Sequence, residues 1–493
     1  MTKKQPQFAS LTLDKIVGGG QALGQLDDGR KAFVWGGLPG ETVTIRVTKK
    51  KSKFIEGIVT EVHAKSPERV DPLDPESYLS TSPWQIINFD AEQHYKAALI
   101  EEAFELHDIV LPERINVYTD GKTSHYRNKV EFSWFGDTKD GINTLDLAFF
   151  MRGGMGKIPI DSCSLLPEPM IKLAIAIRNL LHTKDVTARN LKTLLIRCDQ
   201  AGNCAWQLYL KDNLPKLITP EESKTLPAQG GEVIYSNPKS PASVITERLA
   251  SFGNIVLTDE VLGVPFRYAT EGFFQVNIPV YEQALRDMQK WTRPSDRLAG
   301  FKTSAQARES IEGTSSRTED CLRQQPSPAG SEEVGESDSR SAEAVLKPGN
   351  LAPSPEVLDL YSGVGSIGLT IGGDNVTLVE INEHAVREMR ENIARLGKKA
   401  TAILAPSEKA LDCITSDKII IVDPPRAGLH AAVVAKLLEA PPARIIYLSC
   451  NPVTQARDIA LLAEKYGIRA HQGYNFFPRT PHIEHMVVLD RKA

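Results

Sequence analysis

The N-terminal part of the chain alternates apolar and polar residues over short runs. Between residues 8 and 64, runs such as LTLDKIV, KAFVW and TVTIRV are separated by Gly-rich or Asp-Gly turns. Several short alternating strands at close spacing are typical of a small barrel. We therefore predict an N-terminal β-barrel within residues 1–68. Its basic run RVTKKKSKF and its aromatic residues Phe33 and Trp35 suit a polyanion, but a solvated hairpin with core aromatics explains them equally well.

The pattern changes to a helical period near residue 90. Four apolar residues recur at three- and four-residue spacing: Tyr95, Leu99, Ala103 and Leu106. This spacing predicts a helix over about 90–108 with one buried face, which we expect to pack with the C-terminal domain. Strand-like runs follow, among them KVEFSWFG, LKTLLIRCDQ and CAWQLYL. Residues 69–270 are therefore predicted to form a central α+β domain.

Strands and helices alternate in the C-terminal part. The compact apolar runs EVLDLYSG, NVTLVEI, KIIIVDPP and RIIYLSC are separated by helical stretches such as NEHAVREMRENIARLG. This alternation predicts an α/β fold with a doubly wound, mostly parallel, Rossmann-like sheet, in which ligands bind at the carboxyl ends of the strands. We assign this domain to residues 271–493.

One segment of the C-terminal domain differs in composition. Residues 296–352 are rich in Ser, Glu, Gly and Pro, and no aromatic residue occurs between Phe301 and Tyr361. Such a segment buries too little apolar surface to order itself. We predict a disordered insertion, in which Cys321 is incidental.

The bulk composition limits the class of protein. The chain has 493 residues, a net charge of −4 and six scattered cysteines, which do not form a disulfide framework. No apolar run approaches the roughly 20 residues of a membrane-spanning helix. We expect a cytoplasmic protein with reduced thiols and no membrane partner. The small net charge neither requires nor excludes a nucleic-acid partner.

A glycine-rich turn follows the first strand of the predicted sheet. The segment LDLYSGVGSIGL contains G-x-G-x-x-G at Gly363, Gly365 and Gly368, and Glu380 ends the next strand. Glycines of this kind let a ligand approach the backbone, and the acidic residue binds ribose hydroxyls. The fingerprint alone allows a nicotinamide dehydrogenase. Asp359 inside the strand makes the form D-x-x-x-G-x-G, which is more typical of S-adenosylmethionine enzymes.

Two further strand ends carry reactive side chains. Asp423 begins the loop DPPRAGL, in which the prolines fix φ and remove amide donors. Methyltransferases that act on nucleobases use such an Asp/Asn-Pro-Pro strand end. Cys450 ends the next apolar run and is followed by Asn-Pro. A lone cysteine of this kind is often inert, but its position at a carboxyl strand end favours a function.

A cysteine beside a methyl donor suggests a specific chemistry. Carbon 5 of a pyrimidine is a poor nucleophile until a thiolate adds to carbon 6 and creates an enolate. The carbon-5 proton must afterwards leave, so a general base is needed. The tail NFFPRTPHIEHMVVLDRK offers Glu484 just before an apolar strand. Either residue alone is unremarkable, whereas their joint occurrence favours the chemistry.

Taken together, these motifs resemble those of the RNA uridine-5-methyltransferases. The resemblance rests on DLYSGVGSIGL, VDPPRAGL, LSCNP, FPRTPHIEHM and EGFFQVN, and it is strongest toward the bacterial 23S rRNA (uracil-5-)-methyltransferases. The N-terminal GGGQALGQLDDGRKAFVWGGLPGE is similar to their TRAM domain, an OB-like RNA-binding barrel. The resemblance covers the chain apart from residues 296–352.

The resemblance implies a role for each matching residue. Cys450 would attack carbon 6, and Glu484 would abstract the carbon-5 proton. S-adenosylmethionine would be bound by a set of residues shared with the family: Gln275, Tyr361, Gly363, Gly365, Glu380 and Asp423. Asp423 would also bind the uracil, and Phe273 would lie beside the flipped base. We expect a monomer whose partner is RNA.

The chain also departs from the family pattern. Many ribosomal members hold an iron–sulfur cluster with four cysteines, but here the segment DPESYLSTSPWQ has Ser80 and Ser82 near the cysteine positions. Only Cys163 resembles a ligand, and one thiolate cannot hold such a cluster. We predict no iron–sulfur cluster and no other metal. Pro406 stands where relatives often place an acidic or amide group near the adenine.

The preferred reading is methylation of carbon 5 of a uridine in 23S rRNA through a covalent cysteine–uracil intermediate. One alternative keeps the chemistry and acts on the T-loop uridine of tRNA; the TRAM-like barrel favours rRNA over it. A second alternative is an RNA-binding protein with an inactive methyltransferase domain. A dehydrogenase explains neither Cys450 nor Glu484.

Overall fold

The fold is built on a small barrel and two larger sheets, which the computed structural model describes over residues 7–136, 138–139, 142–292 and 356–492. The described residues belong to one compact unit, Met1–Thr292 with Glu356–Ala493. The insertion predicted at about 296–352, with Cys321, lies outside the described residues.

Five strands close the N-terminal barrel in the order β1-β2-β3-β5-β4. They are β1 (Phe8–Ile16), β2 (Ala22–Gln25), β3 (Lys31–Trp35), β4 (Thr42–Lys50) and β5 (Phe54–Ala64). The alternation in the sequence sets the two faces, because Ala32 and Val34 of β3 are fully buried in the barrel core. Phe33 and Trp35 point the other way and are only partly buried. The predicted barrel is confirmed.

The middle of the chain adds a seven-stranded sheet in the order β11-β10-β7-β12-β13-β14-β15. The elements up to residue 269 are α1 (Tyr78–Thr81), α2 (Phe89–Glu105), β6 (Val117–Tyr118), β7 (Lys129–Phe135), β8 (Thr138–Lys139), β9 (Ile142–Asn143), β10 (Asp146–Phe150), β11 (Lys157–Pro159), α3 (Glu168–His182), β12 (Leu191–Cys198), β13 (Cys204–Leu210), α4 (Pro220–Thr225), β14 (Gly230–Tyr235), β15 (Glu247–Gly253), β16 (Val256–Val261) and β17 (Val264–Ala269). Helix α3 covers one face of this sheet with Met170, Leu173 and Ile177, which are fully buried.

The C-terminal part forms an eight-stranded sheet in the order β20-β19-β18-β21-β22-β24-β23-β6. Its elements are α5 (Ile278–Trp291), β18 (Val357–Leu360), α6 (Ser366–Ile371), β19 (Val376–Glu380), α7 (Glu383–Leu396), β20 (Ala400–Leu404), two 3-10 turns (Ser407–Lys409 and Leu411–Cys413), β21 (Ile419–Val422), α8 (Ala431–Glu439), β22 (Arg444–Ser449), α9 (Pro452–Leu462), β23 (Tyr466–Tyr474) and β24 (Glu484–Arg491). Strands β18 to β22 run parallel, and β24 is antiparallel to both of its neighbours. The predicted doubly wound fold is confirmed.

The central strands are mostly apolar because helices cover both faces of the sheet. All residues of β18, β21 and β22 are buried, and Asp359 is the one carboxylate among them. Parallel strands of this kind have their carboxyl ends at one edge. That edge therefore collects the residues that follow Leu360, Val422 and Ser449.

Segments from earlier in the chain complete this layer. Strand β6 pairs in parallel with β23 at the sheet edge. Helix α2 packs against α9, and the hairpin of β16 and β17 lies in the same apolar core as α5. One prediction for α2 is wrong, because Leu106 is 70% exposed. The helix ends at Glu105, so Leu106 leaves the periodic face.

Among the residues that the structure describes, no helix is both long enough and apolar enough to cross a membrane.

Candidate active site

The candidate site lies at the carboxyl ends of the parallel strands. Strand β18 lies between β19 and β21, so successive connections leave the sheet on opposite sides of it. Such a switch point opens a crevice for ligands. Here the crevice is a cavity of about 1310 Å³. Eight of the nine predicted site residues line it: Phe273, Gln275, Tyr361, Gly363, Glu380, Asp423, Cys450 and Glu484.

Gly365 is the predicted site residue that does not line the cavity. It caps the N-terminus of α6 with φ +86°, a left-handed conformation. A Cβ added there would lie 3.0 Å from Leu369 and 3.2 Å from Met389. Gly365 therefore serves the turn and its packing.

The glycine turn is joined directly to the acidic strand end. The amide of Gly363 donates to Oε2 of Glu380 at 2.9 Å, and the amide of Asn382 donates to Oε1 at 2.8 Å. Gly363 has φ +56°, and a Cβ added there would meet no atom within 4 Å. The backbone thus holds the Glu380 carboxylate while the space in front of Gly363 stays open.

Asp359 supports this turn from inside the sheet. Its Oδ2 accepts from the amide of Gly368 at 2.9 Å, whereas Oδ1 has no hydrogen-bond partner. Complete burial raises the pKa of Asp359 to about 8. This residue therefore fixes the start of α6 and does not reach the cavity.

The loop after Asp423 is held by the helix that follows Cys450. Asn451 Nδ2 and Thr454 Oγ1 both donate to the carbonyl of Arg426, at 2.9 and 3.1 Å. Asp458 Oδ2 accepts from the amide of Leu429 at 2.7 Å. The Asp-Pro-Pro loop and the cysteine loop are thus one hydrogen-bonded assembly.

The register of two neighbouring strands places Cys450 and Glu484 opposite each other. Strands β22 and β24 pair antiparallel, and their last pair is Ser449 with His485. Cys450 follows Ser449 and Glu484 precedes His485, so the next opposed positions are Cys450 and Glu484. Both line the cavity, and Glu484 is only 6% exposed. The fold therefore brings a thiol and a carboxyl group together from residues 34 apart.

Burial dominates the electrostatics of these groups. It raises the pKa of the Cys450 thiol to about 11, helped by Glu484 and Asp423. Burial, with the charge of Asp423, also holds the pKa of Glu484 well above its usual range. Burial raises the pKa of Asp423 to about 7. Arg426 opposes these effects, because it lowers the pKa of both Cys450 and Glu484.

Phe273 and Gln275 lie on a loop that the central sheet anchors. Arg197 Nη2 donates to the carbonyl of Gly272 at 2.7 Å, and Asn128 Nδ2 donates to that of Gln275 at 2.9 Å. Phe273 is 70% exposed although it lines the cavity. The loop thus presents a free aromatic ring beside the candidate site.

Several lining residues were not predicted as site residues. Ile381 follows Glu380, is 65% exposed and lines the cavity with Pro406. Tyr281 reaches the cavity from α5, and its hydroxyl lies 2.8 Å from Ser366 Oγ. An apolar residue directly after an acidic strand end was a usable signal for Ile381. Tyr281 carried none, because its spacing is that of an ordinary core residue.

The segment that lacks the cluster cysteines is held by neutral hydrogen bonds and one carboxylate. Asp74 Oδ2 accepts from Ser164 Oγ at 2.6 Å and from Gln85 Nε2 at 2.9 Å, and Gln85 also donates to Ser82 Oγ at 2.7 Å. Burial raises the pKa of the neighbouring Cys163 thiol to about 11, which disfavours a thiolate ligand. Within the described ranges, no group of three or more His, Cys, Asp or Glu side chains converges to hold a metal ion. These donors do not fit an iron–sulfur cluster.

Two protein-family models match the chain, one in its N-terminal part and one in its C-terminal part. The family model described as tRNA (Uracil-5-)-methyltransferase matches residues 375–492, and the TRAM domain model matches residues 15–60. The first span contains Glu380, Asp423, Cys450 and Glu484. The second falls within the closed barrel.

Curated relatives match along almost the whole chain. An uncharacterized RNA methyltransferase of Nitratidesulfovibrio vulgaris is 25% identical over 98% of this chain and 96% of its own length. Another of Enterococcus faecalis is 27% identical over 93% of this chain and 92% of its own.

A solved structure shares the fold from end to end. The tRNA (uracil-54, C5)-methyltransferase of Pyrococcus abyssi, in complex with S-adenosyl-L-homocysteine, superposes with a TM-score of 0.70 at 20% identity, and the match covers 98% of this chain and 100% of that one. At this identity the likeness concerns the fold. The family models thus identify a tRNA (Uracil-5-)-methyltransferase domain at residues 375–492 behind a TRAM domain at residues 15–60, and the relatives that match almost the whole chain are RNA methyltransferases.

Proposed function

We propose that the protein methylates carbon 5 of a uridine in RNA through a covalent adduct between Cys450 and carbon 6. The observation that carries this proposal is the register of β22 and β24, which opposes Cys450 and Glu484 within one cavity. A thiol that only fills a core needs neither a facing carboxyl group nor a cavity of this size. We place this activity in the cytoplasm.

The cavity fits S-adenosylmethionine. Glu380 is preset by two backbone amides to accept ribose hydroxyls. Ile381 and Pro406 offer apolar surface to the adenine, and Gln275, Tyr361 and Asp423 line the rest of the cavity. When bound, S-adenosylmethionine supplies an electrophilic methyl group to carbon 5.

The chain's own residues perform the remaining steps. The Cys450 thiolate adds to carbon 6, forming the S–C bond and leaving an electron pair at carbon 5. After methylation, Glu484 removes the carbon-5 proton, and the electron pair of that C–H bond expels the thiolate. Arg426 supports both roles because it favours the ionised thiol and the ionised carboxylate.

The target uracil must leave a base stack to reach Cys450. Flipping costs a few kcal/mol, which stacking on an aromatic side chain offsets. Phe273 is exposed at the cavity and suits this task. Asp423 follows β21, which lies between β18 and β22 in the sheet, so it is suited to hydrogen-bond the uracil.

We propose 23S rRNA as the substrate, following the resemblance to the bacterial enzymes. tRNA is a second candidate, favoured by the description of the matching family model and by the fold match to an archaeal tRNA enzyme over its full length. That match includes the barrel region, so the barrel does not discriminate between the two RNAs.

Methylation assays with both RNAs test the proposal. Unmodified 23S rRNA and tRNA transcripts are incubated with the enzyme and S-adenosylmethionine, and the products are mapped by mass spectrometry. We expect 5-methyluridine in the rRNA. Modification of tRNA alone would replace the substrate, and no 5-methyluridine in either RNA would refute the function.

A further inference from the structure

A fully buried glutamine joins the two strands that carry the catalytic pair. Gln455 lies on α9, five residues after Cys450, and has no exposed surface. Its Nε2 donates to the carbonyl of Tyr447 in β22 at 3.0 Å and to the carbonyl of His485 in β24 at 2.9 Å. One amide group therefore bridges the thiol strand and the carboxylate strand.

The third hydrogen bond of Gln455 fixes its orientation. Both backbone carbonyls can only accept, so the amide nitrogen must face them. Oε1 then faces Nδ1 of His485 at 2.8 Å, and that ring nitrogen must donate. His485 is fully buried, and burial, followed by the charge of His471, holds its pKa well below its usual range, which agrees with a neutral ring. The side chain of Gln455 thus has one arrangement that satisfies all its partners.

The bridge lies close to the reacting groups in both strands. Tyr447 is three residues before Cys450, and His485 is the residue after Glu484. The ladder between the strands ends at the pair Ser449 and His485, so no further ladder pair holds Cys450 opposite Glu484. The hydrogen bonds of Gln455 therefore connect β22 and β24 near the end of the regular pairing.

We propose that Gln455 is a positioning residue that holds Cys450 and Glu484 at their working separation through the Tyr447 and His485 carbonyls. This inference rests on the proposed function, because that function is what requires Cys450 and Glu484 to be held close together. It makes α9 a common support, since the helix residue Thr454 and the N-cap residue Asn451 hold the Asp-Pro-Pro loop.

Two substitutions separate positioning from stability. Gln455→Met keeps length and bulk but removes all three hydrogen bonds. Ile459→Val is the matched control, because Ile459 is buried on the same helix without a side-chain polar group. Misplacement of reacting groups by about 1 Å costs roughly a hundredfold in rate. We expect Gln455→Met to slow single-turnover methylation about ten- to a hundredfold, with S-adenosyl-L-homocysteine affinity within about twofold of the wild type. Ile459→Val should keep most of the rate.

A thiol readout is independent of methylation. Glu484 raises the pKa of Cys450, so separating the two groups should lower that pKa and speed alkylation of Cys450 by iodoacetamide. We expect faster alkylation in Gln455→Met and no change in Ile459→Val, measured by peptide mass spectrometry. Alkylation at the wild-type rate in Gln455→Met would overturn the inference, even if the wild-type enzyme methylated no RNA.

A third variant covers a failure of Gln455→Met to fold. Gln455→Glu keeps the acceptor for His485 but, when ionised, has no donor for the two carbonyls. Its rate relative to the wild type should rise as the pH falls, because protonation restores one donor. A pH profile parallel to that of the wild type would contradict the positioning role. If the wild type itself makes no 5-methyluridine, the proposed function fails separately.

Discussion

Arg426 is the cation that favours ionisation of the candidate nucleophile. The charge of its side chain lowers the pKa of the Cys450 thiol against the larger effect of burial. Its backbone carbonyl is held by Asn451 and Thr454, so a side-chain substitution leaves the loop anchored. We predict that Arg426→Gln raises the pKa of Cys450 and lowers its reactivity.

The size of the effect follows from two opposing contributions. A neighbouring opposite charge changes a pKa by about one unit or more, and one unit corresponds to a tenfold change in the thiolate fraction. A more basic thiolate is also a better nucleophile, so the intrinsic reactivity of the thiolate rises about threefold per pKa unit. Because the pKa of Cys450 is already about 11, the thiolate is a minor species at neutral pH. The net expectation is a loss of about threefold in reaction rate below the pKa.

The assay is alkylation of Cys450 by iodoacetamide between about pH 8 and 9.5, followed by peptide mass spectrometry. We expect both proteins to react faster as the pH rises, with Arg426→Gln about threefold slower throughout. Arg387→Gln is the matched control, because Arg387 lines the same cavity but is not among the groups that shift the pKa of Cys450. Equal or faster alkylation in Arg426→Gln would refute the assignment.

Three further predictions concern the base, the cofactor and the cluster. Glu484→Gln should stop proton removal, so the methylated covalent adduct with ordinary RNA should persist on denaturing gels; release at the wild-type rate would contradict its role. Glu380→Gln should weaken S-adenosyl-L-homocysteine binding about tenfold in calorimetry, because an amide accepts more weakly than a carboxylate, and RNA binding should not change; an unchanged cofactor affinity would be evidence against the ribose contact. Purified protein should contain no stoichiometric iron or sulfide. One cluster per chain would contradict the prediction that the serine-bearing segment binds no iron–sulfur cluster.

The predictable parts of this molecule are those that local pattern determines. Asp423 and Cys450 each end an apolar run that predicts a buried strand. In a doubly wound sheet, residues at the end of such strands lie at the carboxyl edge. The alternation in KAFVW likewise predicts a short barrel strand, and β3 (Lys31–Trp35) lies there in the structure. These features need no knowledge of distant partners.

The remaining parts depend on contacts between distant residues. Strand β6 has two residues and joins the sheet only because β23 lies beside it. The bridge from Gln455 to His485 spans 30 residues, and its members look like ordinary polar residues in the sequence. Gly365 fitted the cofactor motif, yet its packing against Leu369 and Met389 explains it without a ligand.

The central claim is that Cys450 forms a covalent bond with the target uracil. Substrate RNA carrying 5-fluorouridine tests it most directly, because fluorine cannot leave as a proton and the adduct is trapped after methyl transfer. We predict a denaturant-resistant enzyme–RNA complex in the presence of S-adenosylmethionine, with the RNA attached to the Cys450 peptide and no complex in Cys450→Ala. A wild-type enzyme that methylates ordinary RNA but forms no such complex, or a complex that survives in Cys450→Ala, would contradict the account.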